Sequence, residues 1–490
     1  MKGTALTLAL VSTPREIASE LATRTLLEKV PVASSLAKAF SDAGFTLALV
    51  GGPVRDAILG RLGNDLDFTT NARPDDTKKI LKVWADSIWE TGAAFGTIAG
   101  KKGDNTVEVT TYRSENYDSQ SRKPEVNFGD SIDGDLSRRD FTINCLALEL
   151  TTPTPEFIDL FNGVEDLAKK VLRAPGDPDV LFGDDPLRMM RAARFVSQLG
   201  FTVDPTIVES MKRMAERITI VSAERVHDEL IKLLMSPSPR LGLALMVETG
   251  LAQYVLPELP QLKLEVDEHH HHKDVYEHTL TVLEQAMALE DRLGGPNLVI
   301  RLAALLHDIG KPKTRELIPG GGVSFHHHEV VGSRMAKERL RVLRFDNQTI
   351  SDVSQLVFLH LRFHGYAGGE WTDSAVRRYV RDAEHLLEHL HVLTRADCTT
   401  RNQRKAAALA ATYNSLEERI ARLKEEEELN SIRPDLDGTE IMKILGIPAS
   451  PLVGKAYNYL LELRLEHGPL GEDRAKAELL TWWEANAPKK

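Results

Sequence analysis

The sequence predicts an α/β N-terminal head with a small mixed sheet, followed by a long all-α body. Three observations carry this reading. Short β-branched and aromatic runs alternate with helical segments through the first third of the chain. Strand signals stop near Pro175, and from there apolar residues recur at helical spacing between strong end signals. The composition, 42% hydrophobic and 27% charged over 490 residues, is that of ordinary globular domains. A chain of that length has room for about three of them.

In the head, "FTLALVGG", "DLDFTT", "GTIAGKK", "NTVEVTTYR" and "NCLALEL" read as strands punctuated by Gly, Asn and Asp. "PVRDAILGR" and "DDTKKILKVWADS" read as helices between them, and the polar "SENYDSQSRKPEVNFGDSIDGD" reads as a long functional loop. In the body, "DPLRMMRAARFVSQLG", "DPTIVESMKRMAERI", "AERVHDELIKLLM" and "RLGLALMVETG" read as helices. The remainder also reads as helical apart from a Gly-rich turn at "PGGGVS", and "LEERIARLKEEEELN" reads as a solvated helix. The expected boundaries are 30–175 for the head, 176–260 for a helical neck, 261–420 for a His-rich domain and 421–490 for a helical tail.

The 61 basic and 72 acidic residues give a net charge of −11, which argues against a nucleic-acid partner unless a local basic stripe tracks the phosphates. Cys145 and Cys398 lie far apart without CxxC spacing, which suggests neither a disulfide framework nor a Cys-type zinc site and favours a reduced, cytoplasmic protein. The N-terminal "MKGTALTLALVSTPRE" has no small-residue cleavage site, so a signal peptide is not expected. No apolar run reaches the ~18 residues needed to cross a membrane.

Three constellations carry chemistry. Asp65 and Asp67 alternate on a strand, so their carboxylates project from one face and repel unless a cation lies between them. Mg²⁺ suits such oxygen ligands. The preceding "LVGG" ends a strand in glycines that let backbone N–H groups approach an anion, with Arg55 in the first turn of the next helix. Glu108 shares a strand face with Thr106 and Thr110; it either completes a carboxylate trio or is an exposed strand glutamate. Arg138, Arg139 and Asp140 open "RRDFTIN", where the arginines either grip phosphates or are surface charges. Second, Asp185 and Arg188 lie three apart on what reads as one helix, and are therefore neighbours on one face. Third, His307 and Asp308 end the apolar helix of "LAALLHDIGK", where unpaired charge is costly and a metal ion would resolve it.

"GGPVRD…GNDLDFTT", "RRDFTIN" and "DPLRMMRAARF", in that order within residues 49–235, resemble the signature motifs of the class II tRNA nucleotidyltransferases. This is the CCA-adding enzyme and bacterial poly(A) polymerase family of the polymerase β-like superfamily. Two departures are the missing proline before Asp65 in "RLGNDLDF" and Cys145 where alanine is usual. The resemblance implies that Asp65 and Asp67 hold two Mg²⁺ ions, that Glu108 is a third carboxylate, and that Gly51, Gly52, Arg55 and Arg139 cradle the nucleotide phosphates. It also places Asp140 and Asn144 in the nucleotide site. Asp185 and Arg188 become a protein-built reader of cytosine and adenine, supported by Arg191 and Arg194. The spacing of His278, the His307–Asp308 doublet and Asp397 resembles an HD domain, with His328, and with it His360, serving a second ion. Such domains are metal-dependent phosphohydrolases, and this one is either active or a scaffold without its metal. Imidazole and carboxylate ligands suit Ni²⁺, Mn²⁺ or Fe²⁺.

The expected function is therefore addition of C, C and A to the tRNA 3′ end from CTP and ATP, with no membrane and no obligate protein partner. The alternatives are a poly(A) polymerase, or an HD phosphohydrolase whose head binds RNA. The polar loop before "RRDFTIN" resembles that of full CCA-adding members, and the HD domain and the lack of a long basic tail favour tRNA.

Overall fold

A computed structural model of the chain describes residues 13–90, 96–116, 125–129, 131–264, 274–318, 323–363, 371–400, 402–427 and 433–487. The chain divides into two units, Met1–Pro257 and Glu258–Lys490.

The first unit is built on a seven-stranded mixed sheet. Its strands are β1 (Leu47–Val50), β2 (Asp65–Thr70), β3 (Ser87–Trp89), β4 (Thr97–Lys102), β5 (Asn105–Thr111), β8 (Leu146–Glu149) and β9 (Glu156–Asp159). They lie in the order β3-β4-β5-β2-β1-β8-β9. Only β2 and β5 run parallel; every other pair in this sheet is antiparallel. β3 and β9 are the two edge strands, of 3 and 4 residues, which the sequence pattern does not reveal. Alternation sets the two faces. Leu47, Leu49, Leu66, Phe68, Val107 and Val109 point into the large core, where they meet Leu36 and Phe40 of the Val32–Asp42 helix and Leu81 of the Pro74–Trp84 helix. The opposite face carries only the small cluster of Ala48, Val50, Ala147 and Leu136, which leaves room for a site.

The expected long loop is partly strand: β6 (Arg113–Asn116) and β7 (Glu125–Phe128) form an antiparallel ribbon, while residues 117–124 and 130 lie outside the described residues. Strand pairing also continues past Pro175. Val171–Leu172 pairs in parallel with Thr202–Val203, and Glu316–Leu317 pairs with Val323–Ser324 around the Gly-rich turn, whose residues 319–322 lie outside the described residues. The N-terminal run 1–12 and the four-histidine run also lie outside them.

After the sheet, the first unit continues as helices. The Leu187–Leu199 helix packs on Pro239–Glu248 so closely that a Cβ on Gly242 would sit 2.3 Å from the Ala193 carbonyl oxygen; only glycine permits this contact. The second unit is mainly helical. Its helices Val275–Met287, Leu298–Leu306, His328–Val342, Asn347–Leu359 and Leu387–Asp397 supply the histidine-rich region. The charge-rich Gln403–Glu427 helix is not solvated all round, because Leu416, Ile420 and Leu423 form a buried stripe at helical spacing. The last three helices, Gly438–Leu445, Pro451–His467 and Glu472–Asn486, share a small core of Ile441, Leu460 and Leu479. No helix among the described residues is long and apolar enough to cross a membrane.

Candidate functional site

β1 ends at Val50 and turns through Gly51 into the Gly52–Ile58 helix. Gly51 has φ +73°, a backbone conformation that favours glycine, and a Cβ there would lie 2.8 Å from Arg139 Nη1, so the arginine's guanidinium would have to move aside. On the neighbouring strand, Asp65 pairs with Thr106 and Asp67 with Glu108 in the parallel β2–β5 register. In-register neighbours point the same way, so all three carboxylates share the face away from Leu66 and Val107. Glu108 is at the same time an exposed strand residue, so the register is compatible with both readings of it.

Asp67 is open to solvent by surface area, yet its concave surroundings desolvate it enough to push its carboxyl above the usual carboxylate range. Arg139 opposes the rise, while Glu108 and Asp65 add to it. A carboxylate in that position, beside two others, is suited to a divalent cation. The trio is not a tight cage: among the described residues, the groups with three ligand atoms within 4.8 Å of one another lie in the second unit.

Asp67 forms part of the wall of a cavity of about 900 Å³. Gly51, Gly52, Arg55, Arg139, Asp140, Asn144, Asp185, Arg188, Arg191 and Arg194 all line it, whereas Asp65 and Glu108 do not. Nine arginines face four aspartates across this space, so a strongly basic pocket exists within a chain of net charge −11.

Arg55 and the "RRDFTIN" residues form one network. Arg55 Nη1 donates to Asn144 Oδ1 (2.6 Å), Asn144 Nδ2 donates to Asp140 Oδ1 (2.9 Å), and Arg191 Nε donates to Asp140 Oδ2 (2.7 Å). Burial works against the Asp140 carboxylate, but Arg191 and the Asn144 amide hold it down at about 2. Arg138 and Arg139 both reach the buried Asp135, each by a 3.1 Å hydrogen bond (Arg138 Nε to Oδ1, Arg139 Nη2 to Oδ2), so neither is a loose surface charge. Glu229, also buried, lies 3.2 Å from Arg194 and 3.8 Å from Arg191.

The Asp185–Arg188 pair departs from expectation. Asp185 is not on the arginine's helix; it caps the C-terminus of Pro178–Asp184, and Pro186 caps the start of Leu187–Leu199. The proline forbids the continuous helix that the spacing suggests. Both residues still line the cavity wall. Arg188 donates to the Arg138 carbonyl (2.6 Å) and the Leu181 carbonyl (3.3 Å), which fixes its fork. Asp185 Oδ1 accepts from Leu187 N (3.1 Å), and its Oδ2 accepts from Arg225 (2.7 Å). Arg225, Asp135 and Glu229 escape sequence reasoning. Only Asp135 leaves a local trace, three and four residues before the arginine pair.

In the second unit the histidines converge. One group is His278, His307 and Asp397; the other is Asp308, His328 and His360. Asp308 reaches both: its Oδ2 lies 3.2 Å from His307 Nε2 and 3.6 Å from His278 Nε2, and its Oδ1 lies 3.3 Å from His328 Nε2 and 4.0 Å from His360 Nε2. Asp308 Oδ2 thus keeps the expected company of His278 and His307, beside Asp397, while its Oδ1 faces His328 and His360. Each imidazole is oriented from behind. Nδ1 of His307, His328 and His360 meets the carbonyls of Ala304, Phe325 and Val357, and Nδ1 of His278 meets the Thr399 hydroxyl. That arrangement turns Nε2 of each ring inward, where His278 Nε2 meets Asp397 (3.0 Å) and His307 Nε2 meets Asp308 (3.2 Å). Nε2 of His328 and of His360 are buried and make no hydrogen bond, which is costly unless a cation takes them. The donor set fits divalent ions. Lys311, a residue not singled out from sequence, sits 2.9 Å from Asp308 Oδ2.

Comparison with known proteins places these sites in context. Residues 47–173 match the poly A polymerase head domain, 200–262 match a probable RNA and SrmB-binding site of polymerase A, and 275–402 match the HD domain. An A-adding tRNA nucleotidyltransferase of Deinococcus radiodurans is 31% identical over 449 residues, covering 90% of this chain and 96% of its own. A CCA-adding enzyme of Lactobacillus helveticus is 40% identical over 230 residues, 47% of this chain and 55% of its own. The chain thus spans little more than half the length of the curated relatives it matches at that identity. In fold, it resembles the Bacillus stearothermophilus CCA-adding enzyme in complex with CTP (TM-score 0.68, 23% identity, 93% of this chain and 98% of that one). It likewise resembles the Thermotoga maritima CCA-adding enzyme complexed with tRNA (TM-score 0.60, 17% identity, 94% and 98%).

Proposed function

The chain belongs to the tRNA nucleotidyltransferase and poly(A) polymerase family, and from that premise we propose that it adds C, C and A to the 3′ end of tRNA, drawing on CTP and ATP without a nucleic-acid template. The observation that carries this reading is the single arginine-rich cavity bounded by Asp67 on one wall and by Asp185 and Arg188 on another.

Cytosine and adenine each present an amino donor beside a ring-nitrogen acceptor; guanine and uracil present the reverse. A carboxylate that accepts and a guanidinium that donates match the first pair and leave buried polar groups unpaired with the second. Arg188, fixed by two backbone carbonyls, and Asp185, fixed by Arg225 and Leu187 N, form a reader whose geometry does not depend on a template strand. Arg55, Arg139, Arg191 and Arg194 offer donors to the triphosphate. Asp65 and Asp67, with Glu108 beside them, are the residues that would hold Mg²⁺, which when bound favours attack by the RNA 3′-hydroxyl oxygen on the α-phosphorus and departure of pyrophosphate. The protein's own share is positioning and charge complementarity.

The HD cluster supports a second activity, metal-dependent hydrolysis of phosphate esters with Ni²⁺, Mn²⁺ or Fe²⁺ held by His278, His307, Asp308, His328, His360 and Asp397. A location in the cytoplasm, where tRNA substrates occur, goes with this reading.

A narrower reading, addition of the final A alone, is favoured by the A-adding relative that matches along nearly its whole length. The test is incubation with tRNAs ending before the first C, after one C and after two, each with CTP or ATP. Extension of all three supports full CCA addition, whereas extension of the two-C substrate alone supports the narrower reading. Long adenylate tails on unrelated RNA would make it a poly(A) polymerase. Asp67→Ala should extend none of the three tRNAs while still binding them; near-normal incorporation would refute the assignment of the transfer site.

A further inference from the structure

We propose that Phe195 is a positioning residue for the triphosphate: its ring gathers three guanidiniums and holds them as one anion-binding surface. This rests on the nucleotide-transfer reading of the cavity.

The ring lies 4.4 Å from the Arg194 guanidinium carbon, 5.4 Å from that of Arg55 and 5.5 Å from that of Arg191, measured to the centroid. Phe195 is itself buried, and Phe141 packs edge-on against it at 5.8 Å and 85°, which fixes the plane of the ring. The three cations come from two parts of the unit: Arg55 from the helix that follows β1, Arg191 and Arg194 from the helix that carries Phe195.

Three guanidiniums drawn to one point repel one another. Asp140 and Glu229 offset part of that repulsion, but both carboxylates sit on the Arg191–Arg194 side. Arg55 is tied to Asp140 only through Asn144, and its carboxylate partner is Asp56. The negative face of the ring is the element common to all three cations. It closes a circuit that runs from Arg55 through Asn144, Asp140 and Arg191 back to the ring. The circuit presents positive charge to the cavity in a fixed arrangement before any ligand arrives, which suits a polyphosphate and spares reorganisation on binding. The base reader lies apart from it, with Arg188 anchored to backbone carbonyls.

The test compares Phe195→Leu and Phe195→Met, which keep bulk but lose the ring, with Phe195→Tyr, which keeps the ring. Steady-state kinetics on tRNA would be paired with calorimetric binding of inorganic tripolyphosphate and with thermal melting. A ringless variant should raise KM for CTP and ATP alike and weaken tripolyphosphate binding, each by about three- to tenfold. Discrimination against UTP and GTP should not change, and the Tyr variant should restore both quantities. A folded ringless variant with unaltered KM and tripolyphosphate affinity overturns the proposal. So does unfolding of both ringless variants, which would make the ring a core support. If wild type binds tripolyphosphate in a ring-dependent way but extends no tRNA, the transfer reading fails and the positioning role stands.

Discussion

Arg225 holds Asp185, the carboxylate of the proposed base reader, from 40 positions away in the chain. With its guanidinium removed, Asp185 keeps Leu187 N but loses the partner that holds Oδ2 in place. Arg225→Ala should therefore lower discrimination against UTP and GTP by about tenfold, as expected for one charge-assisted hydrogen bond. Arg188→Ala, which removes the reader's donor, should lower it further. The measurement is relative kcat/KM for the four nucleotides on one tRNA, and unchanged ratios in both variants would place selection elsewhere. The spacing of Asp185 and Arg188 was legible in the sequence because it is local. Pro186 between them breaks the helix that this spacing suggests, and Arg225 was hidden because no local pattern ties it to Asp185. Asp140 offers a second test at this scale. Its carboxyl is held at about 2 in the folded chain against an ordinary 3.8, so its ionised form stabilises the fold fully above about pH 4. That contribution is lost as pH falls through about 2. Asp140→Asn should reduce urea stability at neutral pH, and the deficit relative to wild type should shrink on acidification; a deficit independent of pH would contradict this.

Among elements, the Leu187–Leu199 helix bears most of the weight, because it supplies Arg188, Arg191, Arg194 and Phe195 from adjacent turns. Its seat is the close approach at Gly242. A methyl group there must displace the backbone of the opposing helix, since the Ala193 carbonyl oxygen and Ser197 Oγ would each lie 2.3 Å from it. Gly242→Ala should cost about 1–3 kcal/mol in urea unfolding, and should also raise KM for both nucleotides as the arginines shift. Loss of stability with unchanged KM would show that the helix can move without disturbing the site. At this scale the central strands were legible as short apolar and β-branched runs between turn residues, β1 and β8 being buried along their whole length. The short edge strands were not, since 3 or 4 residues with little burial leave no alternation to read.

At the scale of the whole molecule, the two units offer different sets of ligand atoms. The head offers oxygen ligands alone, while the second unit offers inward-facing imidazoles with buried, unbonded Nε2 atoms. Saturation with Mn²⁺ or Ni²⁺ should raise the melting transition of the second unit, by about 2.7 kcal/mol of stabilisation at a hundred times Kd. Asp308→Ala should abolish that shift and any hydrolysis of 2′,3′-cyclic AMP, while Mg²⁺-supported tRNA extension stays near wild type. A wild-type protein that retains no transition metal and hydrolyses nothing would leave the second unit as a scaffold. The "LLHDIGK" doublet announced this cluster, but its division into two groups around Asp308 depends on helices that fold back across the unit, which sequence intervals do not encode.

The sheet order has a consequence for a chain still being synthesised. β1 emerges early, yet one of its two neighbours is β8, through the register Ala48↔Glu149, and β2 finds its parallel partner only after a crossover through β3 and β4. Pairings of such wide separation form late, because loop closure must precede the contacts that reward it. The aspartate-bearing strand therefore leaves the ribosome well before β8 and the arginine-bearing helix exist to surround it. A nascent fragment ending before β8 already carries the carboxylates, Arg55 and Arg139, but not Asp185, Arg188, Arg191 or Arg194, so more than half of the cavity's lining, with the proposed base reader in it, is still to come.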